Sequence, residues 1–188
     1  VAIEEQNGYT SHPGLPSLRE KIANAYPHLG LEIGDVVVTC GSQEAMTAAL
    51  LSIVDAGDEV AIPNPCFPAY EACIRLAQGH PIGYRLPKDL GFGFDPEEFR
   101  RVISPRTKAA VIISPSNPTG RVLSTKNLED IADILKDTGI YLIADEIYAD
   151  LYFGERPRSA SEFYDRTIIV SGLSKSLSMT GWRLGWAA

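Results

Sequence analysis

Short apolar runs alternate with longer amphipathic runs along the whole chain. A short apolar run bounded by turn residues predicts a buried strand, and apolar residues at three- and four-residue spacing predict a helix. The predicted strands are Val36–Thr39, Glu59–Ile62, Pro81–Arg85, Ala109–Ile113, Ile140–Ala144, Thr167–Val170 and Trp182–Ala187. The predicted helices are Pro16–Tyr26, Gln43–Asp55, Pro68–Gln78, Pro96–Ile103 and Thr125–Thr138. This alternation indicates an α/β protein of three layers, in which helices cover both faces of a mostly parallel sheet.

Two of the predicted helices carry recognisable signals at their ends. Asp95 precedes Pro96, which is typical of an N-cap followed by proline at the first helical position. Ser124 is placed to cap the last helix, and Gly139 is placed to end it.

Size and charge limit the classes of function that need to be considered. The chain has 188 residues, which is enough for one domain with a substantial core. It carries 17 basic and 24 acidic residues, for a formal net charge of −7. This balance argues against nucleic acid or an anionic membrane as a partner. An anionic cofactor is still compatible with it, because donors close to the ligand decide that binding.

The cysteine and histidine positions favour a reducing compartment and no metal. Three cysteines, Cys40, Cys66 and Cys73, are an odd number without a CxxC pair, so we expect free thiols and a cytoplasmic location. The three histidines are scattered and lack metal-ligand spacing. No apolar run approaches transmembrane length, and no signal peptide opens the sequence.

Polar or aromatic residues follow five of the predicted strands. In open α/β sheets, ligands bind beyond the carboxyl ends of the strands, so residues at these five positions are expected to share one edge. The residues are Gly41, Ser42 and Gln43 after the first strand, Phe67 after the second, Asn117 after the fourth, Asp145 and Tyr148 after the fifth, and Lys175 after the sixth.

The segment Ser171-Gly172-Leu173-Ser174-Lys175 follows an apolar strand, and Arg183 comes eight residues after the lysine. A lysine at a strand end can form a Schiff base with a carbonyl compound. A nearby arginine can hold an anion through two parallel hydrogen bonds. The simpler interpretation is a surface lysine and arginine that flank a strand.

Three segments in a fixed order carry a resemblance to a known family. The lysine segment with Arg183 resembles the signature of pyridoxal-phosphate (PLP) enzymes of the aspartate aminotransferase type, class I/II. Segments 114–120 (SPSNPTG) and 145–148 (DEIY) resemble the other two main signatures. The resemblance runs from about Asn7 to the last residue. It implies the large domain of the PLP-dependent transferase fold, a seven-stranded sheet with the last strand antiparallel. It also implies that 1–188 is a cofactor-binding fragment, with an N-terminal arm and a C-terminal small domain outside it.

The resemblance implies a role for each residue around the ring of pyridoxal 5'-phosphate. Lys175 would form the internal aldimine and later move a proton at the substrate α-carbon. Asp145 would pair with the pyridine nitrogen. Tyr148 and Asn117 would donate hydrogen bonds to the phenolic oxygen, and Phe67 would stack on the ring.

The phosphate group would need several donors. The backbone N–H groups of Ser42 and Gln43 open a predicted helix, whose dipole favours anions. A hydroxyl from Ser174 or Ser171 would join them, and Gly172 stands where some relatives carry a hydroxyl residue. The full predicted set of phosphate ligands is Gly41, Ser42, Gln43, Ser171, Ser174 and Arg183.

Tyr9 matches a family tyrosine that reaches the phosphate in the neighbouring subunit. The resemblance therefore implies a homodimer with composite active sites. Tyr9 could instead be a loop aromatic that packs locally.

Simpler roles are open for the other candidates as well. Asp145 could cap a following helical turn, and Asn117 could form a turn with its proline. Tyr148 and Phe67 could be core aromatic residues.

The resemblance implies an aminotransferase that moves an α-amino group between an L-amino acid and a 2-oxo acid. Gly120 and the segment 179–183 favour this reaction within the family. The same lysine constellation serves C–S lyases, decarboxylases and cyclopropane-forming synthases. A non-enzymatic PLP-binding effector domain of a transcription regulator is a further alternative. The sequence does not identify the amino donor, since Arg75, Arg85, Arg121 and Arg158 are most simply surface charges.

Overall fold

The computed structural model describes residues 8–188, and its centre is a seven-stranded sheet. The order of the strands across the sheet is β1-β7-β6-β5-β4-β2-β3. The strands are β1 Val37–Thr39, β2 Glu59–Asn64, β3 His80–Arg85, β4 Thr107–Ile113, β5 Tyr141–Asp145, β6 Thr167–Gly172 and β7 Gly185–Ala187.

Helices connect most of these strands. They are α1 Pro16–Ala25, α2 Ser42–Ile53, α3 Ala69–Leu76, α4 Pro96–Val102 and α5 Thr125–Leu135, with short 3₁₀ turns at Pro27–Leu29, Ala160–Glu162 and Thr180–Trp182. The two predicted N-caps are confirmed, since Asp95 accepts from the N–H of Glu97 and Ser124 accepts from that of Asn127. The end predicted at Gly139 is wrong, because α5 ends at Leu135 and its C-cap is Lys136.

One strand runs against the others, as the family resemblance implied. Strand β7 lies between β1 and β6 and is antiparallel to both, while the remaining neighbours pair in parallel. In the parallel region Ile113 lies level with Asp145, and Asp145 lies level with Val170. The carboxyl ends of β4, β5 and β6 therefore meet at one edge, which is where the candidate residues follow.

Alternation along the strands separates the core into two faces. On one face, α2 and α3 cover Val60, Val111, Ile143 and Val170 in a single buried cluster. The opposite face packs against α4 and α5 in one cluster and against α1 in another. Because side chains alternate between faces, residue 145 of β5 points to the same face as Ile143, towards α2 and α3.

The prediction for the last strand is wrong at its start. The strand was predicted over Trp182–Ala187, but it begins at Gly185, after the 3₁₀ turn and a left-handed residue, Arg183, with φ 51°. Gly185 packs directly on the first turn of α2, where a Cβ would overlap Gly41 and Ser42. The chain turns sharply before this contact, and the turn directs Arg183 to the beginning of α2.

Two further observations concern the described residues alone. Within 8–188, no helix has both the length and the apolar character needed to cross a membrane. In the same residues, histidine, cysteine and carboxylate side chains do not gather in a group that could hold a metal ion.

Candidate active site

A cavity of about 340 Å³ opens at the carboxyl edge of the sheet, on the face covered by α2 and α3. Nine of the twelve residues predicted from the sequence line it: Ser42, Gln43, Phe67, Asn117, Asp145, Tyr148, Ser174, Lys175 and Arg183. Five separate connections after β1, β2, β4, β5 and β6 contribute to this lining. The fold therefore gathers residues that lie far apart in the sequence into one site.

Asp145 is the buried charge of the cavity. It is the last residue of β5 and is 7% exposed. Its Oδ2 accepts a hydrogen bond of 2.7 Å from the Tyr70 hydroxyl, and its Oδ1 accepts one of 3.1 Å from the Ile147 N–H. Burial raises the pKa of Asp145, while the two hydrogen bonds and the charge of Lys175 act in the opposite direction. The bond to Ile147 shows that the capping role and the cavity-facing position coexist.

Lys175 lines the same cavity as this carboxylate. It lies in the turn after β6, and its Nζ is 5.6 Å from the centre of the Tyr148 ring. Asn117, half-buried in the loop after β4, and Phe67, in the connection after β2, complete the same wall. An amine, a phenol, an amide and an aromatic face thus surround one space.

The cavity lining at the beginning of α2 is suited to hold an anion. Ser42 and Gln43 are the first two residues of α2, where backbone N–H groups have no carbonyl partner within the helix. These N–H groups are therefore free to bind a ligand. Arg183 lies at the same helix end, where a Cβ on Gly41 would overlap its guanidinium group. Gly41 has φ 83°, which also favours glycine. These residues create a positive cradle at the beginning of α2.

Three predicted residues do not line the cavity. Ser171 is buried, and its Oγ donates to the backbone oxygen of Glu146 over 3.4 Å. Strand β6 continues to Gly172, so alternation places Ser171 on the face of Ile169, away from α2. Gly41 shapes the site as the N-cap of α2 without contributing to the lining. Tyr9 is fully exposed, at 108% of the reference area.

The two candidate serines differ in their position relative to the cavity. Ser174 lines the cavity and Ser171 does not, so Ser174 is the hydroxyl available to a ligand there. At Gly172 a Cβ would lie 2.8 Å from the Leu184 oxygen, because β7 passes close to it. A hydroxyl-bearing side chain does not fit at that position.

Sequence reasoning missed several lining residues, and Tyr70 is the most important of them. It belongs to the apolar cluster under α2 and α3, it lines the cavity, and its hydroxyl donates to Asp145. The one available signal was that a buried tyrosine usually finds a partner for its hydroxyl group. Met46, Ile113, Ile147 and Thr180 were also missed, and they add mainly apolar wall.

The charges of the cavity fit pyridoxal phosphate. Within residues 8–188, neither Lys175 nor Arg183 forms a salt bridge with a carboxylate. Two cations without ion-pair partners therefore face one buried carboxylate, in a chain whose net charge is −7. An aldehyde needs an amine, a pyridine nitrogen needs a carboxylate, and a phosphate needs an arginine and a helix N-terminus. The cavity is lined by all three kinds of group.

This chain belongs to the aminotransferase class I and II family, whose model matches residues 1–188. It is 36% identical over 193 residues to the aspartate aminotransferase of Geobacillus stearothermophilus, an alignment that covers 98% of this chain and 49% of that protein. The structure matches that of an aspartate aminotransferase from Thermus thermophilus with maleate at a TM-score of 0.95 and 35% identity, over 100% of this chain and 50% of that one. It matches an alanine aminotransferase from Pyrococcus furiosus at a TM-score of 0.92 and 33% identity, over 99% and 49%.

The chain spans about half the length of the relatives it matches. The similar proteins also bear names with different amino acids, aspartate and alanine. The likeness therefore establishes the family and the fold, and the amino donor is a separate question.

Proposed function

We propose that the protein containing this chain is a PLP-dependent aminotransferase that moves an α-amino group between an L-amino acid and a 2-oxo acid. Residues 1–188 would be its cofactor-binding large domain. The observation that supports this most strongly is that Lys175 and Asp145 line one cavity together with the Arg183 cradle at the beginning of α2. Membership in the aminotransferase family supports the same reaction.

Lys175 and Asp145 carry the chemistry in this proposal. Lys175 Nζ would hold the cofactor covalently and would move a proton at the substrate α-carbon. Asp145 would hold the protonated ring nitrogen through its carboxylate. When bound, PLP supplies an electron sink that stabilises negative charge at the α-carbon.

The other lining residues hold and orient the cofactor. Arg183, Ser174 and the N–H groups of Ser42 and Gln43 would bind the phosphate group. A buried anion at a helix N-terminus beside an arginine has both charge and hydrogen-bond donors to balance it.

The ring would be held from its sides and its face. Tyr148 and Asn117, which line the cavity, would donate hydrogen bonds to the phenolic oxygen, and Phe67 would stack on the ring. Phe67 lacks a polar group, so it contributes contact area alone.

The proposal extends to the assembly and the location. Tyr9 is fully exposed, so its hydroxyl is accessible to a second subunit. We infer a homodimer in which Tyr9 of each chain reaches the phosphate in the other, in the cytoplasm. Cross-linking at Tyr9, followed by the mass of the product, would test the dimer.

A panel of amino donors with the full-length protein tests the reaction. We expect a change in cofactor absorbance with an L-amino acid and formation of the matching 2-oxo acid, with the amino group recovered on an added acceptor. Release of carbon dioxide, or of a thiol with ammonia, would instead identify a decarboxylase or a C–S lyase. Specific DNA binding without turnover would favour the regulator alternative.

Lys175→Ala tests the residue assignment and has the largest expected effect. We expect loss of covalent cofactor in the mass spectrum after borohydride reduction, and loss of turnover to the background rate. Lys136→Ala, which removes an exposed lysine just after α5, is the matched control and should retain both. Covalent cofactor in the Lys175 variant would show that another amine is the anchor.

A further inference from the structure

Tyr70 lies on α3 with its ring in the core and its hydroxyl at the wall of the cavity. The side chain is 2% exposed, and the hydroxyl donates to Asp145 Oδ2 over 2.7 Å. The Phe67 ring packs edge-on against it, with centroids 5.9 Å apart and planes at 76°. Because its ring is packed in the apolar cluster, the hydroxyl has little freedom to point elsewhere.

We propose that Tyr70 is a positioning residue that fixes the plane of the Asp145 carboxylate and keeps that carboxylate ionised for a protonated ring nitrogen. The inference rests on the proposed function, since only that function requires a charged and oriented carboxylate at this place. Tyr70 itself acts through Asp145.

The geometry of the carboxylate supports the orienting role. An aspartate side chain can rotate about its last bond unless donors hold it. Here Tyr70 holds Oδ2 and the N–H of Ile147 holds Oδ1, so each oxygen has a fixed donor. An ionised carboxylate has about four acceptor positions, which leaves further lone pairs for a ligand in the cavity. Loss of the Tyr70 bond would leave Oδ2 without its protein donor.

The charge balance supports the second role. Tyr70 faces Asp145 from α3, Lys175 faces it from the turn after β6, and Tyr148 faces the cavity from the loop after β5. The neighbouring Glu146 side chain turns away, to Ser159. In the proposed function Lys175 is occupied by the cofactor, so its amine is no longer a separate counter-charge. Tyr70 is then the side-chain donor that continues to stabilise the ionised form of Asp145.

The Tyr70 hydroxyl resists deprotonation. Burial and the charge of Asp145 raise the pKa of Tyr70 well above its usual range. The phenol therefore stays protonated and remains a donor. It lies among apolar side chains of α2 and α3, which also exclude water from this side of the carboxylate.

Tyr84 provides a matched control on the other face of the sheet. It is 3% exposed, and its hydroxyl donates to the backbone oxygen of Val111 over 3.0 Å. It packs with Phe94 and Phe99 in the cluster under α4 and α5. Tyr84→Phe thus removes a buried hydroxyl and one hydrogen bond, as Tyr70→Phe does, without removing a donor to Asp145.

The primary test follows the ionisation of Asp145 in the full-length protein after removal of the cofactor. Infrared spectra recorded against pH show the carbonyl band of a protonated carboxyl, and Asp145→Asn identifies the band. We expect Tyr70→Phe to move the midpoint of this band up by about one to two pH units, because a hydrogen bond to a charged group is lost. Tyr84→Phe should leave the midpoint unchanged. An unchanged midpoint in Tyr70→Phe would overturn the inference.

The second readout is affinity for PLP, measured by titration of the cofactor-free protein. We expect about a tenfold weaker affinity for Tyr70→Phe and wild-type affinity for Tyr84→Phe. If the wild-type protein does not bind PLP, the proposed function fails, while the infrared midpoint still tests the link between Tyr70 and Asp145. If PLP binds equally well to both variants, the function stands and the positioning role is wrong.

A gentler change covers the case in which Tyr70→Phe does not fold. Site-specific fluorination of the Tyr70 ring keeps its contacts and makes the hydroxyl a stronger donor. The midpoint of Asp145 should then move down, opposite to the effect of removing the hydroxyl. A purely structural role for Tyr70 predicts no movement, and that result would contradict the proposal.

Discussion

The end of β5 carries two adjacent carboxylates with opposite surroundings. Asp145 faces the cavity, where its hydrogen-bond donors are a phenol and a backbone N–H and where two cations have no carboxylate partner in the described residues. Glu146 faces the connection to β6, where Ser159 Oγ and the N–H of Ala160 donate to its Oε1 over 2.6 and 3.2 Å. Asp145 is accessible to a ligand in the cavity, whereas Glu146 binds the loop before β6 to the end of β5.

The pKa shifts of these two carboxyl groups do not distinguish the functional residue from the structural one. Burial raises the pKa of both carboxyl groups, and that of Glu146 rises to about 7. A raised pKa alone therefore does not mark the functional residue. The distinction comes from what each side chain faces: Asp145 lines the cavity with Lys175, and Glu146 contacts protein groups that already satisfy it.

Replacement of the cavity carboxylate should separate Asp145 from Glu146 by the largest difference in turnover. We expect Asp145→Asn in the full-length protein to retain its fold and to lose about 10²–10³ in turnover, because the charge that pairs with the ring nitrogen is gone. The amide oxygen can still accept from Tyr70. Glu146→Gln is the matched neighbour, and it should retain turnover within about a factor of three. Steady-state kinetics at saturating PLP would measure both, and equal losses in the two variants would contradict the assignment.

Much of the fold could be predicted because the strands are apolar on both faces. The runs in β4 and β5 are nearly continuous, so their positions were evident within one or two residues. The order of the strands was not evident from the pattern, since β1 pairs with β7 across most of the chain. Nothing local in Val37–Thr39 indicates that partner. The family resemblance supplied the antiparallel strand.

The candidate site was predictable in outline for a related reason. The carboxyl ends of parallel strands meet, so residues such as Asn117, Asp145 and Lys175 could be placed together before any contact was known. Ser171 was misplaced because the strand was predicted to stop at Val170. Tyr70 escaped notice because its partner lies 75 residues further along the chain. Its local sequence predicts only a buried aromatic residue on an amphipathic helix.

Replacement of Arg183 in the anion cradle should have the next largest effect. We expect Arg183→Gln to weaken PLP affinity by about 10- to 100-fold, because a hydrogen-bonded charge opposite the phosphate is lost. Thermal unfolding of the cofactor-free protein should change little, since within residues 8–188 the guanidinium donates only to the Thr180 oxygen, over 3.1 Å. Equilibrium titration with PLP measures the first effect. Arg75→Gln, which removes an exposed ion pair with Glu71 on α3, is the control and should bind PLP normally.

The opposite result would also be informative. If Arg183→Gln bound PLP with unchanged affinity but unfolded at a lower temperature, Arg183 would belong with the residues that stabilise the fold. The cradle would then consist of Ser174 and the N–H groups of α2 alone. The close fit of Gly41 and Gly185 around the helix end would need another explanation.

The smallest expected effect concerns Glu146, and it is an effect on stability and not on turnover. Burial raises the pKa of Glu146 from its ordinary value of 4.5 to about 7. Between these values the folded chain binds more protons than the unfolded chain, so the free energy of unfolding should fall as pH rises through this window. For the wild-type protein relative to Glu146→Gln, we expect a loss of about 1–3 kcal/mol from about pH 5 to about pH 8.

Urea unfolding of the full-length protein at several pH values measures this difference. Glu146→Gln cannot titrate, and its amide oxygen can still accept from Ser159, so its stability should vary less over the same window. Glu129→Gln, an exposed position on α5, serves as the control and should follow the wild type. Parallel curves for the wild type and Glu146→Gln would mean that Glu146 is as well solvated in the folded chain as in the unfolded one. Asp145 and Glu146 would then differ in burial as well as in the groups that they face, because only Asp145 would carry a cost of burial.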